Sequence, residues 1–172
     1  DAHGCLPGHD IDQADAEQAY VQADMIGTET WIVLLDKGKP EGRQNMPGWS
    51  TFQRPVFRMR KALYGHPGAG TFWEKHCDER VKAAGYSPIS PDWPSCSYHP
   101  EFKLFLTIYV DDFKQSGPQE NLARGWELLK SDNDALGLSG ILLEDPVLVG
   151  YNPETGERDG KTLYLGCYHR YL

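Results

Sequence analysis

The sequence predicts an α+β fold in which a mostly antiparallel sheet is backed by helices on one face. Three observations lead to this prediction. Short β-rich runs are separated by turns rich in Gly and Pro. Between them stand stretches whose apolar residues recur at helical three- and four-residue spacing. The 172 residues, 40% of them hydrophobic and 24% charged, fit one globular domain with a single core.

The first half of the chain is predicted to hold a strand and a helix. Residues 30–35 are β-rich, and a turn-forming loop follows over residues 36–42. From Gly70 the apolar residues recur at helical spacing, and Gly85 is suited to end that helix. The buried face of this helix is predicted to carry Trp73, Cys77, Val81 and Ala84.

The second half is predicted to hold a hairpin, a helix and a terminal hairpin. Residues 95–99 and 104–110 are predicted strands. A helix begins near Pro118, which suits a first helical position. Residues 147–151 and 162–167 are predicted to pair around a polar turn at 153–156. Period two places Leu104, Leu106, Ile108 and Val110 on one strand face, and the later helix directs Leu122, Trp126 and Leu129 toward the core.

Composition limits the classes of function. No stretch approaches the apolar run of a membrane span, and the first residues lack the basic start and apolar segment of a signal peptide. The net charge of −8 disfavours a general electrostatic grip on nucleic acid. A local basic run softens that conclusion, and it consists of Arg54, Arg58, Arg60 and Lys61. The scattered cysteines predict free thiols rather than a zinc site, and they are Cys5, Cys77, Cys96 and Cys167.

The tetrapeptide Tyr109-Val110-Asp111-Asp112 closes an apolar strand. Adjacent acids repel and raise one another's pKa, so placing two of them together carries a free-energy cost. A bound cation would remove that cost. An Asp-Asp pair on its own is equally consistent with an acidic turn between two strands.

A second acidic segment, Asp15-Ala16-Glu17-Gln18-Ala19-Tyr20-Val21-Gln22-Ala23, precedes this tetrapeptide in the chain. Together the two resemble the reverse transcriptase of copia-type retrotransposons, whose pattern is Asp-x-x-x-Ala-(Phe/Tyr)-Leu-x-Gly followed by Tyr-Val-Asp-Asp. Four further segments match that family in order, so the resemblance covers nearly the whole chain. They are residues 56–65, the pair Phe72-Trp73, the series Asp92, Cys96 and Tyr98, and Tyr164-Leu165-Gly166.

The resemblance implies an RNA-directed DNA polymerase that uses two Mg²⁺ ions, with Mn²⁺ as an alternative. It makes Asp15, Asp111 and Asp112 the catalytic and metal-binding acids, helped by the Ala16 carbonyl. Asp10 and Asp12 are predicted to be solvated loop residues. Tyr20 would lie beneath the incoming sugar and exclude ribonucleotides, although a core tyrosine is the alternative. The remaining contacts to the nucleotide or to nucleic acid would come from Gly68, Arg58, Arg60, Lys61 and Tyr109.

The same resemblance implies a domain layout and a set of partners. Residues 1–23 and 63–172 would form the palm, and residues 24–62 part of the fingers. We expect a fragment of a Pol polyprotein that lacks the N-terminal fingers strands and the thumb. Its partners would be an RNA or DNA template with primer, deoxynucleotides, and the remaining fingers, thumb and RNase H domains. A membrane is not among them, and the expected location is intracellular, in a cytoplasmic particle or the nucleus.

The chain departs from the family in two places. Residues 66–71 replace the usual Leu-Lys-Gln-Ala-Pro-Arg turn, so the Lys, Gln and Arg are lost, while Gly68 and Gly70 still allow close backbone approach to nucleic acid. Phe113-Lys114-Gln115 replaces an apolar run. These departures keep two alternatives open. One is an inactive or domesticated remnant that acts as a binding or interaction module, and the other is an acidic α+β domain with different metal-dependent phosphoryl chemistry.

Overall fold

The structure is a computed structural model that describes residues 1–33, 45, 47–152, 155, 157–158 and 160–169. Its helices are α1 (Ala19–Gln22), α2 (Ala69–Ala83) and α3 (Gln119–Lys130), with a 3₁₀ turn at Trp49–Thr51. Its strands are β1 (His9–Asp15), β2 (Trp31–Ile32), β3 (Phe57–Arg58), β4 (Ser87–Pro88), β5 (Cys96–His99), β6 (Leu104–Tyr109), β7 (Asp112–Pro118), β8 (Val147–Leu148), β9 (Thr162–Tyr164) and β10 (Cys167–His169).

Six of these strands form one sheet in the order β4-β5-β6-β7-β1-β8. Two smaller sheets pair β9 with β10 and β2 with β3. Every strand pair in the described part of the chain is antiparallel. The predicted α+β fold with a mostly antiparallel sheet is therefore confirmed.

The helices cover one face of the six-stranded sheet. Gln115 lies opposite Leu106 in the register, and its side-chain amide donates to the Leu122 carbonyl of α3 at 2.9 Å. Period two puts Ile108 on the same face as Leu106, and α2 lies over that end of β6. Both predicted helices bury the expected faces: Trp73, Cys77 and Val81 on α2, and Leu122, Trp126 and Leu129 on α3.

The strand that departs most from the family pattern lies at the centre of the sheet. β7 is flanked by β6 and β1, and Phe113 and Gln115 on it are fully buried. The buried Gln115 amide is fully engaged, because its oxygen also accepts a hydrogen bond from the Tyr86 hydroxyl at 2.5 Å. A polar residue is therefore accommodated in this core by hydrogen bonds rather than by exposure.

Several expectations about single elements were wrong. Val110 does not continue the apolar face of β6, because the strand ends at Tyr109 and Val110 has a positive φ of 57°. The prediction that a helix begins near Pro118 is confirmed, since α3 begins at Gln119, but Pro118 is the residue before the helix rather than its first residue. The first predicted strand is described only as far as residue 33, so residues 34–35 and the loop over 36–42 lie outside the described residues.

The predicted terminal hairpin was also wrong. β8 pairs with β1 in the main sheet, with Asp12 opposite Leu148. Residues 162–167 do not form one strand, because the chain turns at Leu165 and Gly166 and pairs β9 with β10. Both turn residues have positive φ, 49° and 75°, as a two-residue hairpin turn requires. Of the predicted polar turn, residues 153, 154 and 156 lie outside the described residues.

Two predictions from composition can be compared with the structure. None of the four cysteines forms a disulfide. Among the described residues, no helix has the length and apolar character that a membrane crossing needs.

Candidate functional site

Two aspartates that are distant in sequence lie directly opposite each other in the sheet. β1 ends at Asp15, β7 begins at Asp112, and the two residues are Cα partners in the antiparallel register. Tyr109, the last residue of β6, pairs with Asp112 from the other side. Directly opposed residues share a sheet face, so Tyr109, Asp112 and Asp15 form one row across three strands.

Asp111 completes an acid cluster that we define as Asp15, Asp111 and Asp112. It lies in the turn between β6 and β7, and its carbonyl accepts a hydrogen bond from the Ala16 N–H at 2.7 Å. This bond extends the pairing of β1 and β7 by one step beyond Asp15. The backbone of the turn is thus attached to the strand that carries the first acid.

The electrostatics of the cluster are those of like charges held together. The pKa of the Asp112 carboxyl is raised by burial first, then by the charges of Asp15 and Asp111, and by a side-chain hydrogen bond with Asp15. Such a bond between two carboxyl groups needs a shared proton, and a cation would relieve the same repulsion. Burial raises the pKa of Tyr164 to about 12, and the charges of Asp112, Cys96 and Asp15 contribute to the rise.

The acid cluster lies on the sheet face away from the helices. Along β1 the neighbouring Asp12 accepts a hydrogen bond from the Trp126 indole of α3 at 3.3 Å, which marks the helix-covered face. Period two then directs Asp15 to the opposite face. The β9–β10 hairpin covers part of that face, since the Gln13 side chain donates to the Leu163 carbonyl at 2.9 Å. The Lys114 ammonium lies 4.8 Å from the centroid of the Tyr164 ring.

The prediction that Asp10 and Asp12 are solvated loop residues was wrong. Both belong to β1, which lies between β7 and β8. Asp10 is only 1% exposed and forms an ion pair with Arg158. Burial raises the pKa of Asp12, while the hydrogen bond from Trp126 lowers it. These acids have structural partners, so their contacts distinguish them from the acid cluster.

Tyr20 lies in α1 and packs against a second aromatic ring. Its ring centroid is 4.4 Å from that of Tyr64, with an angle of 46° between the planes. The Tyr64 side chain is largely exposed. Partial burial is still the first cause that raises its pKa, and the charges of Asp111 and Tyr20 raise it as well. Tyr64 therefore adjoins both Tyr20 and the acid cluster. Tyr64 was not predicted to be a site residue, although it stands within segment 56–65, which resembles the family.

A cavity of about 360 Å³ lies between α2 and the end of β6, and its lining reaches Tyr109 and Val110 but none of the three acids of the cluster. Its aromatic lining comes from Tyr20, Trp73 and Tyr109. The Trp73 indole N–H donates to the Val110 carbonyl at 2.6 Å, which links α2 to the turn that carries Asp111. The same α2 surface contributes the acids Glu74 and Asp78 to the lining. Because the lining contains no Lys or Arg, the cavity has no cation of its own for a phosphate.

The basic residues predicted to bind nucleic acid lie around the small β2–β3 sheet. The Arg58 guanidinium pairs with the Glu29 carboxylate at 2.7 Å. Lys61 pairs with Asp24 at 2.8 Å, and its ammonium also donates to the Gln22 carbonyl at 2.9 Å. Arg54 and Arg60 are exposed. Arg58 and Lys61 thus make contacts with residues 22–29.

Gly68 precedes α2 in the turn that replaces the family's Lys and Gln. Its N–H donates to His66 Nδ1 at 3.1 Å, and the other nitrogen of that ring lies 3.2 Å from the Thr30 hydroxyl. A Cβ at Gly68 would lie 2.8 Å from the Phe72 ring, so this position accepts only glycine without a shift of that ring. Close packing on Phe72 accounts for Gly68 before any contact with a nucleotide is considered.

The acid cluster offers the hard oxygen ligands that Mg²⁺ prefers. In the part of the chain that the structure describes, no group of three or more His, Cys, Asp or Glu side chains is already arranged around a common point. Asp15 and Asp112 are nevertheless Cα partners in the register, and the charge of Asp15 helps to raise the pKa of Asp112, so these two carboxyls lie close together. Nucleotide phosphates supply further ligands in sites of this chemistry.

Comparison with models of known protein families gave no match. A search of curated proteins also found no match.

Proposed function

We propose that this chain is the palm-centred part of a reverse transcriptase of the copia retrotransposon type, an RNA-directed DNA polymerase. The observation that carries the proposal is the direct opposition of Asp15 and Asp112, with Asp111 in the adjoining turn. The family resemblance predicts that these three acids meet. If Asp111 and Asp112 formed an unrelated acidic turn, nothing would favour an aspartate at the end of β1, directly opposite Asp112.

The chemistry proposed for the cluster is nucleotidyl transfer. Two Mg²⁺ ions, when bound, steady the attacking and leaving oxygens of an in-line displacement at phosphorus. Asp15, Asp111 and Asp112 would hold them through carboxylate oxygens, and the Ala16 carbonyl would add a ligand. The repulsion that raises the pKa of Asp112 supports a fit to cations, because a divalent ion removes it.

The proposed layout follows the same family. Residues 1–23 and 63–172 form the palm, and residues 24–62 contribute to the fingers. Tyr20, with Tyr64 packed against it, faces the incoming deoxynucleotide, while Tyr109 lies beside the primer end. Template, primer and the remaining Pol domains are the proposed partners.

Divalent-cation binding by this chain tests the proposal directly. We expect Mn²⁺, followed by electron paramagnetic resonance, to bind wild type and to lose affinity by at least about tenfold in Asp15→Asn and Asp112→Asn. The matched control is Asp134→Asn, which changes an exposed aspartate outside the cluster. Equal Mn²⁺ affinity in all four proteins would exclude the polymerase assignment.

Removal of one acid also gives a stability readout. In a solution free of divalent ions, Asp112→Asn is expected to raise the free energy of unfolding by roughly 0.5 kcal/mol, because repulsion in a partly solvated cluster is screened. The folded pKa of Asp112 is raised, so its ionisation destabilises the fold as pH rises above the unfolded value. Addition of Mg²⁺ should stabilise wild type and leave Asp112→Asn nearly unchanged.

A specific observation favours a second candidate, an inactive remnant that acts as an interaction module. Arg58 and Lys61 are engaged with Glu29 and Asp24, and the turn at 66–71 lacks the family's cationic residues. Primer extension by the gene product that contains this chain separates the two candidates. Mn²⁺ binding together with Mg²⁺-dependent extension supports the polymerase, whereas binding without extension supports the remnant.

A further inference from the structure

The turn between β6 and β7 holds a valine in a conformation that β-branched residues rarely adopt. Val110 has a φ of 57°, in the left-handed region. Such a conformation persists only where surrounding contacts fix it. Because Asp111 and Asp112 follow directly, the directions of both carboxylates depend on this one backbone conformation.

Two hydrogen bonds hold the turn from opposite sides. On one side, the Asp111 carbonyl accepts from the Ala16 N–H of the chain that leaves β1, at 2.7 Å. On the other, the Val110 carbonyl accepts from the Trp73 indole of α2, at 2.6 Å. Trp73 is 2% exposed and is packed within the core, so core packing holds its indole in place. A buried indole N–H also needs an acceptor, which makes the contact mutually favourable.

We propose that Trp73 is a positioning residue for the acid cluster. Its indole N–H holds the Val110 carbonyl, and so keeps Val110 left-handed and the Asp111 and Asp112 carboxylates directed at the same cation site as Asp15. Without that bond Val110 relaxes toward negative φ, the peptide plane between residues 110 and 111 rotates, and the acids separate. The inference rests on the proposed function only in that it takes the cluster to bind a divalent cation.

The experiment compares four variants of this chain. Trp73→Phe removes the indole donor and keeps an aromatic ring on α2. Trp126→Phe is the matched control, because Trp126 is also buried and also donates its indole N–H, to Asp12 on another part of the sheet. The third variant combines Trp73→Phe with Val110→Gly, since glycine adopts positive φ without strain and needs no bond to hold it there. Val110→Gly alone is the reference for this double variant.

Mn²⁺ affinity is the first readout, measured well below the melting temperature of every variant. We expect Trp73→Phe to weaken Mn²⁺ binding about tenfold, as loss of an outer-shell partner does at metal sites. Trp126→Phe should leave the Mn²⁺ affinity within about twofold of wild type. It should lower the free energy of unfolding about as much as Trp73→Phe does. In a protein that already carries Val110→Gly, adding Trp73→Phe should lower the Mn²⁺ affinity by less than about twofold. Glycine adopts positive φ without strain, so the indole hydrogen bond is not needed to hold the turn.

Three results would overturn the inference. They are unchanged Mn²⁺ affinity in Trp73→Phe, an equal loss in Trp126→Phe, and a full tenfold loss when Trp73→Phe is added to Val110→Gly.

Amide hydrogen exchange at Ala16, measured without divalent ions, separates failure of this inference from failure of the proposed function. If wild type binds no Mn²⁺, the polymerase proposal falls. Faster Ala16 exchange in Trp73→Phe, but not in Trp126→Phe, then still supports Trp73 as the residue that holds the turn. Unchanged Ala16 exchange overturns that role as well.

Discussion

The Tyr20 ring is held by a neighbouring ring at the edge of the core. It is partly buried and packs on the exposed Tyr64 at 4.4 Å between centroids. A ring fixed in this way is stiff enough to discriminate between sugars by steric contact with a 2′-hydroxyl. Tyr20→Ala is therefore expected to raise ribonucleotide incorporation by about tenfold or more in a primer-extension assay of the gene product.

The control for this prediction is Tyr20→Phe, which removes only the hydroxyl and keeps the ring. It should discriminate against ribonucleotides as wild type does. Equal discrimination by wild type and Tyr20→Ala would show that Tyr20 is a packing residue of α1 and not a gate.

Residue identity alone does not distinguish the acids of β1. Asp10, Asp12 and Asp15 stand in one short segment, and only the family pattern selected Asp15. The structure separates them physically, because Asp10 is paired with Arg158 and Asp12 with the Trp126 indole. Both partners lie more than a hundred residues away, so local spacing in the sequence carries no sign of them.

At the scale of elements, α3 approaches the sheet closely at a glycine. A Cβ at Gly125 would lie 2.3 Å from the Gln115 side-chain oxygen, 2.6 Å from Leu104 and 2.7 Å from the Tyr86 hydroxyl. These groups are buried, and two of them share the hydrogen bond described above. Gly125→Ala should therefore lower the free energy of unfolding by about 2 kcal/mol, although Ala is the better helix former.

Gly70 supplies the opposite case within α2. Nothing lies within 4 Å of a Cβ built at that residue. Gly70→Ala is therefore expected to raise the free energy of unfolding by roughly 0.5 kcal/mol. Urea denaturation of both variants makes the comparison. A stabilised Gly125→Ala protein would mean that α3 does not sit as close to β6 and β7 as the structure has it.

The buried face of α2 contains a histidine that is expected to make stability depend on pH. Burial is the main cause of a lowered pKa of His76, and together with the charges of Arg80 and Lys61 it brings that pKa to about 4. Its Nε2 has no hydrogen-bond partner within the described residues. Between pH 6.5 and 4 the unfolded chain binds a proton that the folded chain does not, so stability falls as pH falls through this window.

His76→Phe should remove this dependence while keeping a ring stacked on Trp73, whose centroid lies 5.6 Å from that of His76. Relative to wild type, the variant is expected to gain about 2 kcal/mol in free energy of unfolding between pH 7.5 and pH 4.5. Chemical denaturation at a series of pH values measures this difference. Parallel stability curves for the two proteins would show that His76 is solvated or finds a partner when protonated.

The elements that the sequence predicted best are those whose signals are local. α2 and α3 were located by apolar spacing, and β5 and β6 by the β-rich runs that precede the acidic turn. β1 was missed as a strand because His9–Asp15 has only two apolar residues, and its pairing with β7 and β8 supplies the stability that its own composition does not. β8 was assigned to the wrong partner, because a strand of two residues is too short for its side-chain pattern to specify which strand it pairs with.

For the whole molecule, the order of the sheet was beyond local reasoning. β1 enters between β7 and the edge strand β8, so the first and last thirds of the chain meet in one sheet. The meeting of Asp15 with Asp112 is a consequence of that topology. Only the family resemblance anticipated it, because pairing between distant segments is decided by the burial of the finished core and not by either segment alone.

The charge of the whole molecule leads to the last prediction. A net charge of −8 opposes the phosphate backbone, and Arg58 and Lys61 already pair with Glu29 and Asp24. The isolated chain is therefore expected to bind a primer–template duplex with a dissociation constant weaker than about 10 μM at physiological salt. The logarithm of its affinity should fall against the logarithm of salt with a slope no steeper than about −3.

Release of one paired cation tests the cause of this weak binding. Glu29→Gln frees the Arg58 guanidinium and should steepen the salt slope by about one, with tighter binding at low salt. Glu120→Gln makes the same change of net charge in a different element, the first turn of α3, and should leave the slope unchanged. Fluorescence anisotropy over a salt series measures both. A steep slope near −6 in the wild-type chain would mean that its phosphate contacts come from cations other than the ones around β3. The assignment of Arg58, Arg60 and Lys61 to nucleic acid would then fail.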